Sequence, residues 1–338
     1  MTKRRTFLLA VLCPAALFVV AGCTSSNLNP NITVYDRDAV ADRPVELPGN
    51  YNTDNYRRLR LAVVTNPVKT SSAVISAESA NYMNLRMQSE MTKVKRFSIY
   101  ALHGADTTLL QEMADLGALN IIEPDELPTV DYQLSWTITL NAKTEPDGRD
   151  NVITFTCSVN VLCTNIATGD SVFSKDLDFR VVREQKCNRY GRVVEGFVFT
   201  ASNMKALYQD LATQAAIRIA NELGNEFPVG GKITGMLGTD LLTLDKGSEQ
   251  GIAKGMQMVV YANVGGVDVP IGNAEATPST NTSQLEMWRL NTGNKYAAKV
   301  LKAIEQEPNW LSRNKLYAVG YGMAMPPEWQ TKDLYIPE

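Results

Sequence analysis

The most regular feature of the chain is an alternation of apolar and polar residues near its middle. Tyr132, Leu134, Trp136, Ile138 and Leu140 alternate with Gln133, Ser135, Thr137 and Thr139, and Ile153, Phe155, Cys157, Val159, Val161 and Cys163 recur at the same spacing. A period of two places each apolar set on one strand face, so both stretches predict half-buried strands. Pro146-Asp147-Gly148 reads as the turn between them, and Ala167-Thr-Gly-Asp170 leads to a third strand over Val172 to Val182.

Shorter signals flank this core. Leu59 to Val64 is a strand candidate ended by Asn66-Pro67, a helical stretch follows from Ser72 to Glu90, and Arg96 to Ala101 is a second short strand. Asp106 can cap a helix over Thr107 to Leu116 with Gly117 as its left-handed stop, and Asn120 to Glu123 precedes Pro124 and Pro128. A longer helix has Ser202 or Asn203 as cap, then Met204, Leu207, Tyr208, Leu211, Ala215, Ile219 and Leu223 on one face, and Gly224 as stop. After Pro228 the pattern changes to short strands at Gly230 to Met236, Asp240 to Leu244, Met256 to Tyr261, Val267 to Ala274 and Leu285 to Leu290, spaced by Gly, Asn and Asp, which predicts a small all-β barrel. The expected fold class is therefore α+β: a mixed sheet with packed helices over residues 58–224, then a barrel over 228–304. The two are expected to be separable units joined near Asn225-Glu226-Phe227-Pro228.

The ends differ from both. Lys3, Arg4 and Arg5 precede an apolar stretch from Phe7 to Val20, the layout of a secretory signal peptide over residues 1–22. It closes with Val19-Val20-Ala21-Gly22-Cys23 and so resembles a bacterial lipoprotein signal. The resemblance implies cleavage before Cys23, a lipid on its sulfur and acylation, palmitate for example, of its new amino group. Several chains on one cysteine would anchor the protein durably, since each buried methylene contributes about 0.8 kcal/mol. Thr24 stands where Asp signals retention at the inner membrane in enteric lipoproteins, so the implied place is the periplasmic face of the outer membrane of a Gram-negative-type bacterium. Residues 23–57, rich in Asn, Asp and Pro, read as a polar tether, with an extended strap on the first domain as the other reading. The tail over 305–338 carries Trp310, Tyr317, Tyr321, Trp329, Tyr335 and Pro326-Pro327. Leu316 to Met325 can add a strand, and the aromatics either mark a partner surface or pack back onto the barrel.

The order of elements over residues 58–224 adds a second resemblance. Arg60-Leu-Ala-Val-Val64, a long helix, Arg96-Phe97-Ser-Ile99, a helix ending in Leu116-Gly117-Ala118, antiparallel strands with a Thr168-Gly169 turn and a closing helix are similar to a domain of several envelope proteins. These are curli-secretion-channel lipoproteins, activator lipoproteins of penicillin-binding proteins, and the Tol-system propeller protein, in its N-terminal domain. Leu119-Asn120 departs from that pattern, which has a hydrophobic strand entering a glycine. The stretch from Leu244 to Met256, with Gly247, Gly251 and Gly255, resembles a strand connection in the C-terminal barrel of the flagellar assembly protein T. Glycines there permit positive φ in successive tight turns.

Composition removes several function classes. With 338 residues, net charge −3 and 20% charged residues, nothing favours nucleic acid as a partner. After the signal no apolar run of about 20 residues recurs, so no transmembrane helix is expected. Of five cysteines, Cys13 leaves with the signal and Cys23 is the lipid site. Cys157 and Cys163 lie about 20 Å apart along one strand and cannot bond to each other, so they read as small buried hydrophobes. His103 is the only histidine, which leaves no metal-ligand cluster and no Ser-His-Asp set, and the glycines of 244–256 lack the Gly-Lys-Ser/Thr of a phosphate loop. No catalytic residue, metal or cofactor is assigned, and Cys23 is the one site residue. The expected function is a non-catalytic, lipid-anchored envelope assembly or scaffold protein. Its expected partners are the membrane, unidentified envelope proteins or cell wall and, as an option, further copies of itself. The alternative is a curli-channel-like secretion pore built from hairpins of strands about 9 to 11 residues long. Its second hairpin would put Lys175 and Arg183 among Phe173, Leu177, Phe179 and Val181, at about 2 to 4 kcal/mol for each basic residue facing mid-membrane lipid.

Overall fold

The computed structural model describes residues 35–102, 130–307, 309–322 and 329. Cys23, His103, the helix expected over 107–116, the stretch from Asn120 to Pro128, and Tyr335 lie outside the described residues.

The first domain is a six-stranded sheet: β1 Leu59–Thr65, β2 Phe97–Leu102, β3 Tyr132–Asp147, β4 Asp150–Asn165, β5 Ser171–Cys187 and β6 Val193–Gly196, in the order β2-β1-β3-β4-β5-β6. β1 runs parallel to β2 and β3, and the rest is an antiparallel meander. The alternating residues form the middle of β3 and β4, whose register is unbroken from Tyr132↔Asn165 to Asp147↔Asp150. Both strands run past the expected ends because their polar extensions pair with each other at a turn where Gly148 adopts φ 62°, a conformation that costs glycine little.

Helices cover one face of this sheet. They are α2 Ala77–Ala80, α3 Tyr82–Met91 and the long α4 Ala201–Glu226; α1 Arg37–Ala41, at the chain's described start, lies apart from them, where the Ala41 carbonyl accepts from Arg289. The helix expected from Ser72 begins later, because the Ser76 side chain caps α2 by accepting from the Ser79 amide. α4 buries every residue of its expected apolar face, and these pack with Leu134, Trp136, Phe155 and Val159 in one core. Each large apolar side chain so buried contributes about 1.5–3 kcal/mol. Thr200, rather than Ser202 or Asn203, caps α4 by accepting from the Asn203 amide. Gly224 does not stop the helix, which continues to Glu226. A helical glycine costs about 1 kcal/mol, less than the gain from burying Phe227 against Phe97 and Tyr132.

The second domain is a closed barrel of β7 Gly230–Leu237, β8 Leu241–Leu244, β9 Gln257–Val264, β10 Val267–Pro278, β11 Ser283–Leu290 and β12 Lys315–Gly320, ordered β10-β11-β8-β7-β12-β9. It is not all-β. Asn294 caps a helix, α5 Lys295–Gln306, whose Ala297, Val300, Leu301 and Ile304 are buried in the barrel core, and a short helix, α6 Trp310–Arg313, follows. The barrel also extends beyond residue 304, since β12 from the tail closes it between β7 and β9. Gly251 and Gly255 have φ of 92° and 81°, as turns require. Gly247 does not, with φ −131°; a side chain there would collide with the Ser279 and Thr280 carbonyls.

From residue 35 onward the expected tether is a strap, and it packs mainly on the second domain. Val45 and Tyr56 share a cluster with Val259, Tyr261 and Val319, the Tyr56 and Tyr261 hydroxyls are 2.7 Å apart, and Tyr51 donates to Asp268 at 2.8 Å. The residues between the domains are not an exposed linker either, because Phe227, Pro228 and Val229 are all buried. Arg96, 1% exposed, fastens the junction: its guanidinium donates to the carbonyls of Phe227 (3.1 Å), Arg57 (2.6 Å) and Asn55 (2.5 Å). The tail aromatics are divided between the domains. Trp310 lies in the barrel core, Tyr317 stacks on Tyr261, and Trp329 is buried in the first domain, donating to Glu90 at 2.8 Å.

Candidate functional site

The same period of two that buries one face of β3, β4 and β5 presents a polar face opposite the helices. Its residues fall into cross-strand rows: Ser135, Leu162 and Ser174; Thr137, Asn160 and Asp176; Thr139, Ser158 and Asp178; Asn141, Thr156 and Arg180. Ladder neighbours on one face lie close enough to bond. Ser158 donates to Asp178 at 2.5 Å and Asn160 to Asp176 at 2.6 Å. The segment after β1 borders this face, with the Asn66 amide donating to Thr137 at 3.0 Å and Ser71 donating to Asn141 from its hydroxyl (2.7 Å) and amide (3.0 Å).

Where the hairpin narrows toward Gly148, an open groove of about 340 Å³ is lined by Asn141, Ala142, Lys143, Glu145, Thr154, Thr156 and Arg180. Lys143 and Glu145 form an ion pair at 2.6 Å. That hydrogen bond and the Lys143 charge, with Arg180 adding to them, hold the Glu145 carboxyl below the usual carboxylate range. Glu145 is thus an anion paired with Lys143 at neutral pH, suited to hydrogen bonding and charge pairing but not to donating a proton. Among the described residues no histidine stands beside the threonine hydroxyls of the groove to act as base. Among the described residues no group of three or more His, Cys, Asp or Glu is placed to hold a metal ion.

The sequence reading singled out only Cys23, which lies outside the described residues, and it missed Lys143, Glu145, Asp176, Asp178 and Arg180. Their signal was the polar half of the alternation, available at the same spacing as the apolar half. The residues weighed for a pore have different roles. Arg183 is buried, where desolvation lowers its pKa and Asp210 of α4 opposes that, while Lys175 is exposed at the sheet margin. Cys157 and Cys163 are buried free thiols, and Cys187 is half-buried. No described helix is long and apolar enough to cross a membrane.

No family model and no curated protein matches the chain. Several solved structures are similar to part of it. A homolog of the neuraminyllactose-binding hemagglutinin from Helicobacter pylori shares 12% identity over 54% of this chain and 94% of its own, with a TM-score of 0.31. Lipoprotein GNA1162 from Neisseria meningitidis shares 16% over 48% of this chain and 99% of its own, with a TM-score of 0.23. A protein described as a lipoprotein from Caulobacter crescentus shares 17% over 41% of this chain and 93% of its own, also with a TM-score of 0.23. Bacterial lipoproteins are thus among the proteins to which part of this chain is similar, and likeness at this level carries no functional argument.

Proposed function

We propose that the chain is a lipid-anchored protein of the bacterial envelope, at the periplasmic face of the outer membrane, that acts by binding other proteins rather than by catalysis. The observation that carries the binding reading is the outer face of β3, β4 and β5, which no described helix covers. It is a broad polar surface with hydroxyls, amides and carboxylates in register, and Leu162 is its exposed large hydrophobe, at 37%. A surface of this kind suits a polar, water-rich protein interface. The envelope reading rests on the signal layout ending at Cys23.

The strap changes how such an anchor would work. It is already packed from Tyr35 on, so residues 24–34 alone separate it from Cys23. Fully extended, that length reaches about 40 Å. The barrel end of the molecule would then stay close to the membrane.

A pore has less support. The apolar faces of β3 and β4 are spent on the domain core under α3 and α4, and their other faces are polar, so the folded hairpin offers lipid no apolar side. The anchor is tested by fractionating cells that express Cys23→Ser. Release of that variant from salt-washed membranes is expected, and its retention there would overturn the anchoring reading.

A further inference from the structure

Among the described residues the outer edge of β5 is open over most of its length. β6 meets β5 only from Gln185 to Cys187, so among the described residues no strand pairs with Ser171 to Arg183 on that side. The Phe197 amide donates to the Glu184 carbonyl at 2.8 Å, which identifies the even-numbered residues of β5 as those whose backbone groups point outward. Alternate residues of a strand turn both groups to the same side. Ser174, Asp176, Asp178, Arg180 and Val182 therefore present donors and acceptors in a row. Such an edge is a template for another strand unless charge, a bulge or a cover blocks it.

Charge is present here: Lys175, Asp176, Asp178 and Arg180 are all exposed. Its order is self-complementary in one register. We propose that β5 pairs antiparallel with β5 of a second copy about a twofold axis at Phe179, joining the two sheets into one. Asp178 then lies opposite Arg180 twice, Leu177 meets Val181, and Phe179 meets its own copy. Moving the axis to Asp178 pairs Asp176 with Arg180 twice but sets two carboxylates together at the axis, to Leu177 sets Asp176 opposite Asp178 twice, and to Arg180 sets two guanidiniums together. Like charges directly opposite are destabilising, and on the outer face the Phe179 register is the one of these four that is free of them. On the inner face Lys175 meets Arg183 of the second copy, whose charge is offset by Asp210 of α4. Ser158 occupies only one Asp178 oxygen, and Arg180 makes no hydrogen bond or ion pair among the described residues. Because the contact is isologous it consumes both edges and stops at a dimer. The polar outer face takes no part in the contact, and the dimer does not depend on the anchoring reading.

The test is the mass of the purified protein in mild detergent, measured by sedimentation with the detergent density-matched. A dimer is expected, with Arg180→Asp raising its dissociation constant roughly tenfold or more. Combining Asp178→Arg with Arg180→Asp should restore it, because opposite charges again face each other across the axis. Hydrogen exchange needs no variant: the amides of Asp178 and Arg180 should exchange more slowly as concentration rises. A monomer at every concentration, a dimer indifferent to Arg180→Asp, or edge amides whose exchange ignores concentration would overturn the proposal.

Discussion

Arg96 Nε donates to the Phe227 carbonyl at 3.1 Å, and through this bond the start of β2 holds the end of α4 just where the chain enters the barrel. The other two guanidinium bonds hold the strap at Asn55 and Arg57, so one buried side chain ties two segments distant in sequence to the start of β2. Burial depresses the Arg96 pKa to about 10, which still leaves it charged at neutral pH. A buried arginine of this kind stabilises only while its donors stay paired.

The two domains should therefore unfold together. Arg96→Ala leaves three carbonyls without their donor and should cost about 3 kcal/mol or more, and Arg96→Lys should recover only part, lacking the planar fork. Urea unfolding followed by near-ultraviolet dichroism reads the loss. Limited proteolysis of the wild type should spare residues 225–229 and cut there once Arg96 is removed. Early cleavage of the wild type at that point would contradict the fastened junction.

Acid should undo the docking of Trp329. Glu90 is 1% exposed, and burial pushes its carboxyl up, but hydrogen bonds from Lys93 and Trp329, with the charges of Lys93 and Arg86, more than offset this and lower its pKa. A folded pKa below the unfolded value of about 4.3 gives stability that is complete above that value and is lost as pH falls through the folded one. Glu90→Gln should cost about 1–2 kcal/mol at pH 7, the partly exposed Lys93 and Arg86 being discounted for solvent. Melting curves of wild type and variant should converge as pH falls through the lowered Glu90 pKa, and parallel curves would contradict the assignment.

Thiol labelling should separate the cysteines. Burial pushes Cys157 and Cys163 up to about 12, so neither carries thiolate near pH 8 and neither is accessible. Of Cys157, Cys163 and Cys187, a maleimide should label Cys187 alone in the native protein and all three after denaturation, as counted by mass spectrometry. Native labelling of Cys157 would mean that the face under α4 opens readily.

Much of the sheet was legible because a half-buried strand writes its burial locally: Tyr132 to Leu140 and Ile153 to Cys163 carry the period without gaps. The apolar face of α4 was legible for the same reason. What failed depended on distant partners. Gly224 has the signature of a stop, and only the pull of Phe227 into the core keeps the helix going. The strap's anchors Val45, Tyr51 and Tyr56 follow no period, so nothing nearby distinguishes it from a tether, and Arg96 reads as the first residue of a short strand until Asn55, Arg57 and Phe227 are folded around it. α5 is a different case, since Ala297, Val300, Leu301 and Ile304 at helical spacing behind Asn294 were readable but were absorbed into an all-β expectation. Among the candidate binding residues, the polar positions of the alternation were visible as a pattern, but their use depends on the opposite face being covered.

The central claim is that the outer face of β3 to β5 meets another envelope protein, and site-specific photocrosslinking in intact cells tests it most directly. A photoreactive residue at Thr139 or Thr156 should give discrete adducts with another envelope protein, whereas one at the exposed Lys254 of the barrel should give none. No adduct at the sheet face, or equal adducts at both places, would contradict the account.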